Sequence, residues 1–497
     1  MSLPSTLLAV LPVLVPLLTA LVCVLLSRRP TLARAAAGAG FAALFAAGLA
    51  LVARTHHGEV VGTVLGGWPA PFGIELAIDR LGAALIAVTG LMAVATWTYL
   101  GSDADRAPAR AELYPLLGGL LTGVGGAFAT ADLFNLYVWF EVMLIASLGL
   151  LALGGGRRQL DATLKYFVLS LFGTLLLLAS IALVYGATGQ LGYAAIQRAW
   201  PSISAELQLP LATALLLAFA IKAGAFPLFA WLPASYHTLP APVLALFAGL
   251  LTKVGAYALL RFVGGVLSPL PPVMLDTLGW VATLTMIVGV VGAAYHWDMR
   301  RILAFHIISQ IGYILLATAL GTTAAFSATI FYTVHHIVVK ANLFLVAGII
   351  HALTGSYDLR RTGGLYASRL GLSVLFAVPA LSLVGIPPMS GFWSKLLVLR
   401  ETMAGGHAAW TVAALAVSVL TLYSMMKIWN EAFWKQAPAP EPSGDAAAAP
   451  ARAASPRLAL AYLASALLGL VTLAISVWPE ALLSFSNEAA VALVGRR

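Results

Sequence analysis

Charged residues are scarce in this sequence. Only 9% of its 497 residues are charged, whereas 61% are hydrophobic and the mean hydropathy is +0.94. Soluble domains carry about 25% charged residues, and no soluble core would bury this much apolar surface. The composition therefore excludes a soluble enzyme or binding module and predicts a polytopic membrane protein.

Cysteine and the common cofactor motifs are missing as well. The single cysteine, Cys23, excludes an intramolecular disulfide and a cysteine-based metal site. The sequence has no GxxxxGK[ST] phosphate loop and no ligand set for haem, flavin or an iron–sulfur cluster. We therefore expect no nucleotide fuel, no cofactor, no metal site and no catalytic residues.

Long apolar segments are abundant. About fourteen of them approach the roughly 20 residues needed to span a bilayer, and each must be helical because lipid cannot satisfy open backbone groups. The predicted fold class is an all-α polytopic membrane protein with about 14 transmembrane helices. The segments are 5–26, 34–53, 79–99, 113–130, 132–154, 163–187, 208–232, 240–262, 272–294, 300–320, 325–351, 371–400, 409–434 and 457–477.

The positive charge follows the order of these segments. Loops after odd-numbered segments are the more basic ones, and examples are Arg28, Arg29, Arg157, Arg158, Arg300, Arg301, Arg360 and Arg361. The positive-inside rule then places both termini outside the cytoplasm of a bacterial cytoplasmic (inner) membrane. The formal net charge of +9 is thus a topology signal and predicts no nucleic-acid partner. The Pro/Ala-rich stretch 435–456 is expected to be a flexible cytoplasmic linker.

Several charged residues lie inside apolar segments. The segment DLFNLYVWFEVMLIAS, 132–147, contains Glu141, and four lysines lie in other segments, at Lys222, Lys253, Lys340 and Lys395. A charge at a helix centre costs about 2.5–3.5 kcal/mol on insertion scales. A structural ion pair would explain one acid and one lysine, but a single acid cannot neutralise four lysines. A series of titratable groups through a helix bundle is typical of a proton path.

The segment FYTVHHIVVKANLF, 331–344, adds His335, His336 and Lys340, and the segment before it contains His306. His336 and Lys340 are four residues apart and share one helix face. Adjacent histidines also occur in metal sites, but neighbours on a helix diverge by about 100° and no further ligand cluster is evident. A lone core histidine is the other alternative, and the nearby lysine weakens it.

Two segments contain helix-breaking prolines beside a lysine. Pro227 follows Lys222, and Pro387 and Pro388 precede Lys395. Proline removes a backbone donor, and the freed carbonyl groups can line a wet cavity. A kink that only aids packing is the alternative. Two broken helices of opposite direction are typical of inverted-repeat transporters.

Six stretches together resemble one family, the proton-translocating antiporter-like subunits of respiratory complex I and of multisubunit Mrp cation/proton antiporters. They are DLFNLYVWFEVMLIASLGLL, KAGAFPLFAWLPASYHTLPAPV, LLTKVGAYALLR, RRILAFHIISQIGYILL, HHIVVKANLFLVAGII and GIPPMSGFWSKL. The chain length and the first stretch are most similar to the Mrp branch. The resemblance implies fourteen helices, with helices 4–8 and 9–13 as inverted repeats and helices 7 and 12 broken.

The resemblance also implies roles for individual residues. Glu141 corresponds to the family's glutamate of helix 5, Lys222 to the lysine of broken helix 7, and Lys253 to the connecting lysine of helix 8. We expect Glu141 to be a switchable partner that pairs with Lys222. Lys395 corresponds to the terminal ionisable residue of helix 12. The remaining matches are His335, His336 and Lys340 in the central polar stretch of helix 11, and His237 is a departure that could gate proton entry or be an ordinary loop histidine.

These observations predict a proton-translocating subunit of a multisubunit Na+/proton antiporter, with other Mrp subunits as partners. The alternative is a proton-pumping subunit of complex I or of a membrane-bound hydrogenase. The sequence shows no compact acidic cage of the kind that hard cations prefer, so we expect the sodium path in another subunit. The predicted division is 1–112 for helices 1–3, 113–262 and 272–434 for the two repeats, 435–456 for the linker and 457–497 for helix 14 and the tail.

Overall fold

The fold is a bundle of apolar helices, as the composition predicts. The structure is a computed structural model that describes residues 4–68, 72–102, 111–437 and 458–495. Twelve helices of the described residues are long and apolar enough to cross a membrane. The predicted fourth and twelfth segments form shorter helices, so the count of fourteen spans remains a prediction.

The first half of the described chain contains ten α-helices. They are α1 (Ser5–Leu25), α2 (Pro30–Thr55), α3 (Arg80–Leu100), α4 (Leu113–Ala129), α5 (Leu133–Ala152), α6 (Arg157–Thr188), α7 (Tyr193–Ala199), α8 (Ala205–Ala223), α9 (Trp231–Ser235) and α10 (Ala241–Arg261).

The second half of the described chain contains nine α-helices. They are α11 (Pro272–Tyr295), α12 (Met299–Ala319), α13 (Thr323–Thr354), α14 (Leu365–Ser368), α15 (Leu370–Val384), α16 (Ser390–Ala404), α17 (Ala408–Trp429), α18 (Leu458–Val477) and α19 (Pro479–Val494).

Two elements differ from the sequence prediction. A short antiparallel hairpin, β1 (Val61–Leu65) and β2 (Ile74–Ile78), lies between α2 and α3. The predicted tail after segment 14 is helical, because α19 buries Ala489, Ala490 and Leu493 and packs against α13. Both elements are too short to span a bilayer, so the length of apolar segments in the sequence does not predict them. The predicted linker 435–456 lies outside the described residues except for its first three positions.

The centre of the bundle is formed by α10 and α13. Every residue of α10 is buried, and α10 packs against α8 on one side and against α13 on the other. Peripheral helices instead expose large apolar side chains such as Phe172 on α6 and Val419 on α17. An apolar exterior around a buried centre is what a helix bundle in lipid requires.

Both predicted helix breaks coincide with interruptions in the helices. α8 ends at Ala223 and α9 begins at Trp231, with Pro227 between them, whereas α15 ends at Val384 and α16 begins at Ser390. Each interruption starts with a glycine in the left-handed region, Gly224 with φ 80° and Gly385 with φ 91°. Glycine adopts this conformation without the Cβ clash that other residues would meet.

Candidate functional site

The four lysines of the apolar segments, three of them buried and Lys222 half-buried, lie on a row of helices that contact one another. Lys222 is on α8, Lys253 on α10, Lys340 on α13 and Lys395 on α16. α8 packs against α10, α10 against α13, and α13 against α16. Lys253 and Lys340 are fully buried and Lys395 is 4% exposed. The structure thus brings residues from distant parts of the sequence into one layer.

None of these four ammonium groups has a carboxylate within ion-pairing distance among the described residues. The predicted pairing of Glu141 with Lys222 is therefore absent in this conformation. Lys222 instead donates to the hydroxyl of Thr174 at 2.6 Å and to the carbonyl of Ser170 at 3.3 Å. Glu141 is half-buried, and its Oε1 is buried without a hydrogen-bond partner in the described chain.

The central lysines have few partners. Lys253 Nζ donates to the carbonyl of Ala248 at 2.6 Å. Within the described residues, Lys340 Nζ and both ring nitrogens of His336 have no hydrogen-bond partner. A buried polar group without a partner is costly, and such groups are commonly satisfied by internal water. This centre is therefore suited to hold water between titratable groups.

Lys395 is held by the helix break itself. Its Nζ donates to the carbonyl of Val384, the last residue of α15, at 2.8 Å. A helix end leaves such carbonyl groups without a helical donor, so the interruption supplies the acceptor. Lys395 also donates to Ser418 Oγ at 3.1 Å, and Ser418 Oγ lies 2.8 Å from the hydroxyl of Tyr313.

His335 joins a chain of serine hydroxyls at the same break. Its Nδ1 lies 2.8 Å from Ser390 Oγ, which lies 2.6 Å from Ser382 Oγ. The backbone N–H of Ser390 donates to Ser476 Oγ on α18 at 2.8 Å. Gly391 is required here, because a Cβ at this position would lie 1.6 Å from the carbonyl oxygen of Ser382.

Several polar residues of the site were not selected from the sequence. Ser424 Oγ on α17 lies 2.6 Å from His306 Nε2, and the hydroxyl of Tyr332 donates to Gln310 Oε1 at 2.5 Å. Isolated Ser, Tyr and Gln residues in apolar segments give no periodic signal. Their distance from a buried charge is defined only in the folded protein, where the helices pack together.

A large basic cavity opens beside the first helix break. Its volume is about 1200 Å³, and it lies between the start of α6, the α9 region and the loop before α12. The charged residues on its wall are Arg158, Asp161, Lys165, Asp298, Arg300, Arg301, Asp358 and Arg360. Three cation–carboxylate pairs form on this wall, so the surplus charge is positive.

His237, the predicted entry residue, lies on the wall of this cavity. Its Nδ1 donates to the carbonyl of Pro233 at 3.1 Å, which leaves Nε2 as the acceptor in the neutral ring. Burial lowers the pKa of His237 below its ordinary value, and the charge of Arg301 lowers it further. The lowered pKa favours the neutral form of the ring, in which Nε2 is the acceptor.

The chain matches a known family over most of this region. Residues 130–421 match the family described as "NADH:quinone oxidoreductase/Mrp antiporter, TM", and this span is more than half of the chain. The chain belongs to this family. The assignment agrees with the resemblance carried by the six sequence stretches.

Relatives within the family are antiporter subunits. The D-type Na(+)/H(+) antiporter subunit of Alkalihalophilus pseudofirmus is 38% identical over 86% of this chain and 87% of its own length. The D-type subunit of Bacillus subtilis is 36% identical over 87% of this chain and 88% of its own length. These relatives are parts of a transporter rather than enzymes.

Solved structures share the fold. A chain of the Mrp complex from Dietzia sp. DQ12-45-1b superimposes with a TM-score of 0.88 at 34% identity and covers 98% of both chains. A chain of the membrane-bound sulfane sulfur reductase, an archaeal respiratory membrane complex, gives a TM-score of 0.87 at 24% identity, covering 98% of this chain and 97% of that one. The second likeness concerns the fold alone.

Ser418 provides a first test of the site of this antiporter-family chain. Ser418→Ala removes one of two hydrogen-bond acceptors of Lys395, so we expect the exchange rate per assembled complex to fall about tenfold, the effect of one hydrogen bond. Ser418→Thr should restore exchange, because it keeps the hydroxyl. The exposed Ser484→Ala, whose hydroxyl only bonds its own helix, is the control. A normal exchange rate for Ser418→Ala in vesicles would show that Ser418 has no role in proton transfer at Lys395.

Proposed function

We propose that this chain is the proton-translocating subunit of a multisubunit Na+/H+ antiporter. Protons move along the buried residues Glu141, Lys222, Lys253, His335, His336, Lys340 and Lys395. One observation carries the proposal, namely a row of four lysines on contacting helices, three of them buried and Lys222 half-buried, with no carboxylate counter-ion among the described residues. A buried lysine without a counter-ion is costly to keep charged and readily gives up its proton.

Glu141 acts as the switch at the start of this row. When its carboxylate approaches Lys222, the charged form of the lysine is stabilised. When the two groups separate, Thr174 and Ser170 hold Lys222 and its proton can move on. Each transfer changes the field on the next lysine, which links the two ends of the row. The described conformation corresponds to the separated state.

The large cavity with His237 supplies the entry from one side. It lies at the end of the bundle where α6 begins, and the excess of basic residues in the loops supports a cytoplasmic location for this end. Positive surplus charge would repel protons, but Nε2 of His237 on the wall offers an acceptor. The cavity therefore admits water to the level of the first helix break.

The partners are other subunits of the same antiporter, and the transported ions are protons and Na+. The names of the D-type relatives and the match to the Mrp complex support this assembly. The sodium path is assigned to another subunit. The complex I or hydrogenase alternative is less favoured, because its structural support at 24% identity concerns the fold only.

Two inverted repeats, 113–262 and 272–434, build the site. Corresponding features support them. Asp132 and Asp298 are the N-terminal caps of α5 and α12, and each forms an isolated bridge at the same spacing, with Gly192 and Asp358 respectively. α6 and α13 each have 32 residues, and both α10 and α17 continue into a π-helical turn.

The location is the bacterial cytoplasmic membrane, with both termini outside. The test uses a Cys23→Ser background and a membrane-impermeant maleimide on intact cells. We expect Ser484→Cys on α19 to react from outside, and Ser443→Cys in the linker to react only after permeabilisation. A linker cysteine that reacts in intact cells would contradict the proposed topology.

The function itself is tested on the native complex. Affinity purification through this chain, followed by mass analysis of the subunits, should identify small membrane subunits of an antiporter. Proteoliposomes of that complex should show proton movement that depends on Na+ and requires this chain. Copurification with flavin or iron–sulfur subunits would instead favour the respiratory alternative.

A further inference from the structure

A second, smaller cavity with a few polar groups on its wall lies at the opposite end of the bundle from the basic one. Its volume is about 80 Å³, and it is enclosed by β2, the segment before α5, the start of α7, the end of α10 and α19. Its wall includes Glu75, Tyr193, Arg261 and Leu493. A cavity of this size holds water where polar groups are present.

Two lining residues have buried polar atoms without a protein partner. Tyr193 is 8% exposed and Arg261 is 6% exposed, and among the described residues neither the Tyr193 hydroxyl nor Arg261 Nε has a hydrogen-bond partner. Burial raises the pKa of Tyr193 well above its usual range, so the hydroxyl stays protonated and can donate and accept. Water is the occupant that satisfies such groups.

The positive charge of Arg261 is neutralised within the protein. Its Nη1 and Nη2 donate to the two carboxylate oxygens of Asp79 at 2.5 and 2.9 Å, and Nη2 also donates to the hydroxyl of Tyr257 at 3.0 Å. A bidentate pair of this kind is strong and fixed in geometry. The cavity therefore does not repel cations as an unpaired guanidinium would. Glu75 adds a further carboxylate at its wall.

The cavity is aligned with the buried row through α10. Lys253, Tyr257 and Arg261 are spaced four residues apart on this helix, so they lie on one face. Each step rises about 6 Å along the axis. Lys253 is the lysine of the row that shares a helix with Arg261 of the cavity wall, and Tyr257 lies between these two residues on that helix.

We propose that this cavity is an outlet of the row, through which water carries protons from Lys253 past Tyr193 to Glu75. The carboxylate of Glu75 takes up the proton, becomes a carboxylic acid, and releases the proton to bulk water at the face where α3 and α5 begin. Tyr193 is the hydrogen-bonding link, and Asp79 and Arg261 are positioning residues. This inference rests on the proposed function.

Hydration is tested without any transport assay. In X-ray radiolytic footprinting of the intact complex in H2(18)O, a side chain beside bound water acquires the label. We expect Tyr193 to be labelled like the exposed Tyr185, although it is buried, while the buried Tyr99 stays unlabelled. A Tyr193 that is as unreactive as Tyr99 would show a dry cavity and overturn the outlet.

Transport is tested with variants that change single groups. We expect Tyr193→Phe and Glu75→Gln to lower the proton exchange rate about tenfold in assembled complex without changing the Na+ concentration for half-maximal rate. Glu75→Asp should retain exchange. The matched controls are Tyr185→Phe and Glu206→Gln, which change a tyrosine and an acid outside the cavity.

The outcomes separate the outlet from the proposed function. If Glu75→Gln and Tyr193→Phe exchange normally while Lys253→Met is inactive, the row conducts protons but this outlet is wrong. If Lys253→Met also exchanges normally, the proposed function fails and the outlet fails with it. A shift in the half-maximal Na+ concentration with Glu75→Gln would assign Glu75 to cation binding and likewise overturn the outlet.

Discussion

Vesicles containing Lys253→Met or Lys395→Met will show no sodium-dependent proton exchange above background, although both complexes assemble. Each variant removes a titratable group from the row, Lys253 from its middle and Lys395 from its end, and replaces it with an apolar side chain of similar length. Lys253 is fully buried and has no counter-ion in the part of the chain that the structure describes, and burying such a group costs several kcal/mol. Its removal should therefore leave thermal stability unchanged or raise the melting temperature by a few degrees.

This combination of unchanged or higher stability and lost exchange distinguishes functional lysines from structural ones. The matched control is Lys435→Met, which removes an exposed lysine paired with Glu431 at 2.9 Å. An exposed pair contributes about 0–1 kcal/mol, so this variant should assemble and exchange normally. The row as proposed is wrong if Lys253→Met and Lys395→Met both assemble and exchange at the normal rate.

Glu141→Gln will also assemble and lose exchange, because the amide keeps the shape of the side chain but cannot stabilise a charged Lys222. The structure adds an expectation about stability. Breaking a buried ion pair costs about 3–5 kcal/mol, but Glu141 and Lys222 are not paired in this conformation. Glu141→Ala should therefore change the melting temperature only slightly. Exchange rate and melting temperature of the assembled complex are the two measurements.

Two further variants separate a switch from a structural pair. Glu141→Asp keeps the charge on a shorter side chain and should retain partial exchange. The apolar double variant Glu141→Leu with Lys222→Met should assemble and remain inactive. Near-normal exchange by Glu141→Gln or by the double variant would reject the switch, and a large stability loss for Glu141→Ala alone would indicate a structural pair instead.

The sequence predicted most of the scaffold because lipid imposes a simple rule. A span must be long, apolar and helical, so segments such as 79–99 and 113–130 were predicted close to the observed α3 and α4. The helix breaks were also predictable, since Pro227 and Pro388 cannot continue a helical hydrogen-bond ladder. The hairpin β1–β2 and the helix α19 were missed, because both lie outside the spans to which this rule applies.

The site was only partly predictable. Charged residues in apolar segments stand out, so Glu141, Lys222 and Lys395 were selected from the sequence alone. Ser418 and Tyr313 were not selected, because hydroxyl-bearing side chains are common in membrane helices and become informative only beside a buried charge. The expected pairing of Glu141 with Lys222 is absent here, because Thr174 on α6 offers Lys222 another partner.

The sequence alone indicated a helical membrane bundle with more lysines in its apolar segments than one acid can neutralise. The six motif stretches carried the resemblance to its family. Only the packed helices show that those lysines lie on helices in mutual contact. The packing also shows that the end of α15 supplies a carbonyl to Lys395 and that Tyr193 and Arg261 line one cavity. The difference lies in how far along the chain each property extends. Span length, helicity and the cost of a buried charge are local properties of the chain, whereas a hydrogen-bond partner or a cavity depends on how distant helices pack.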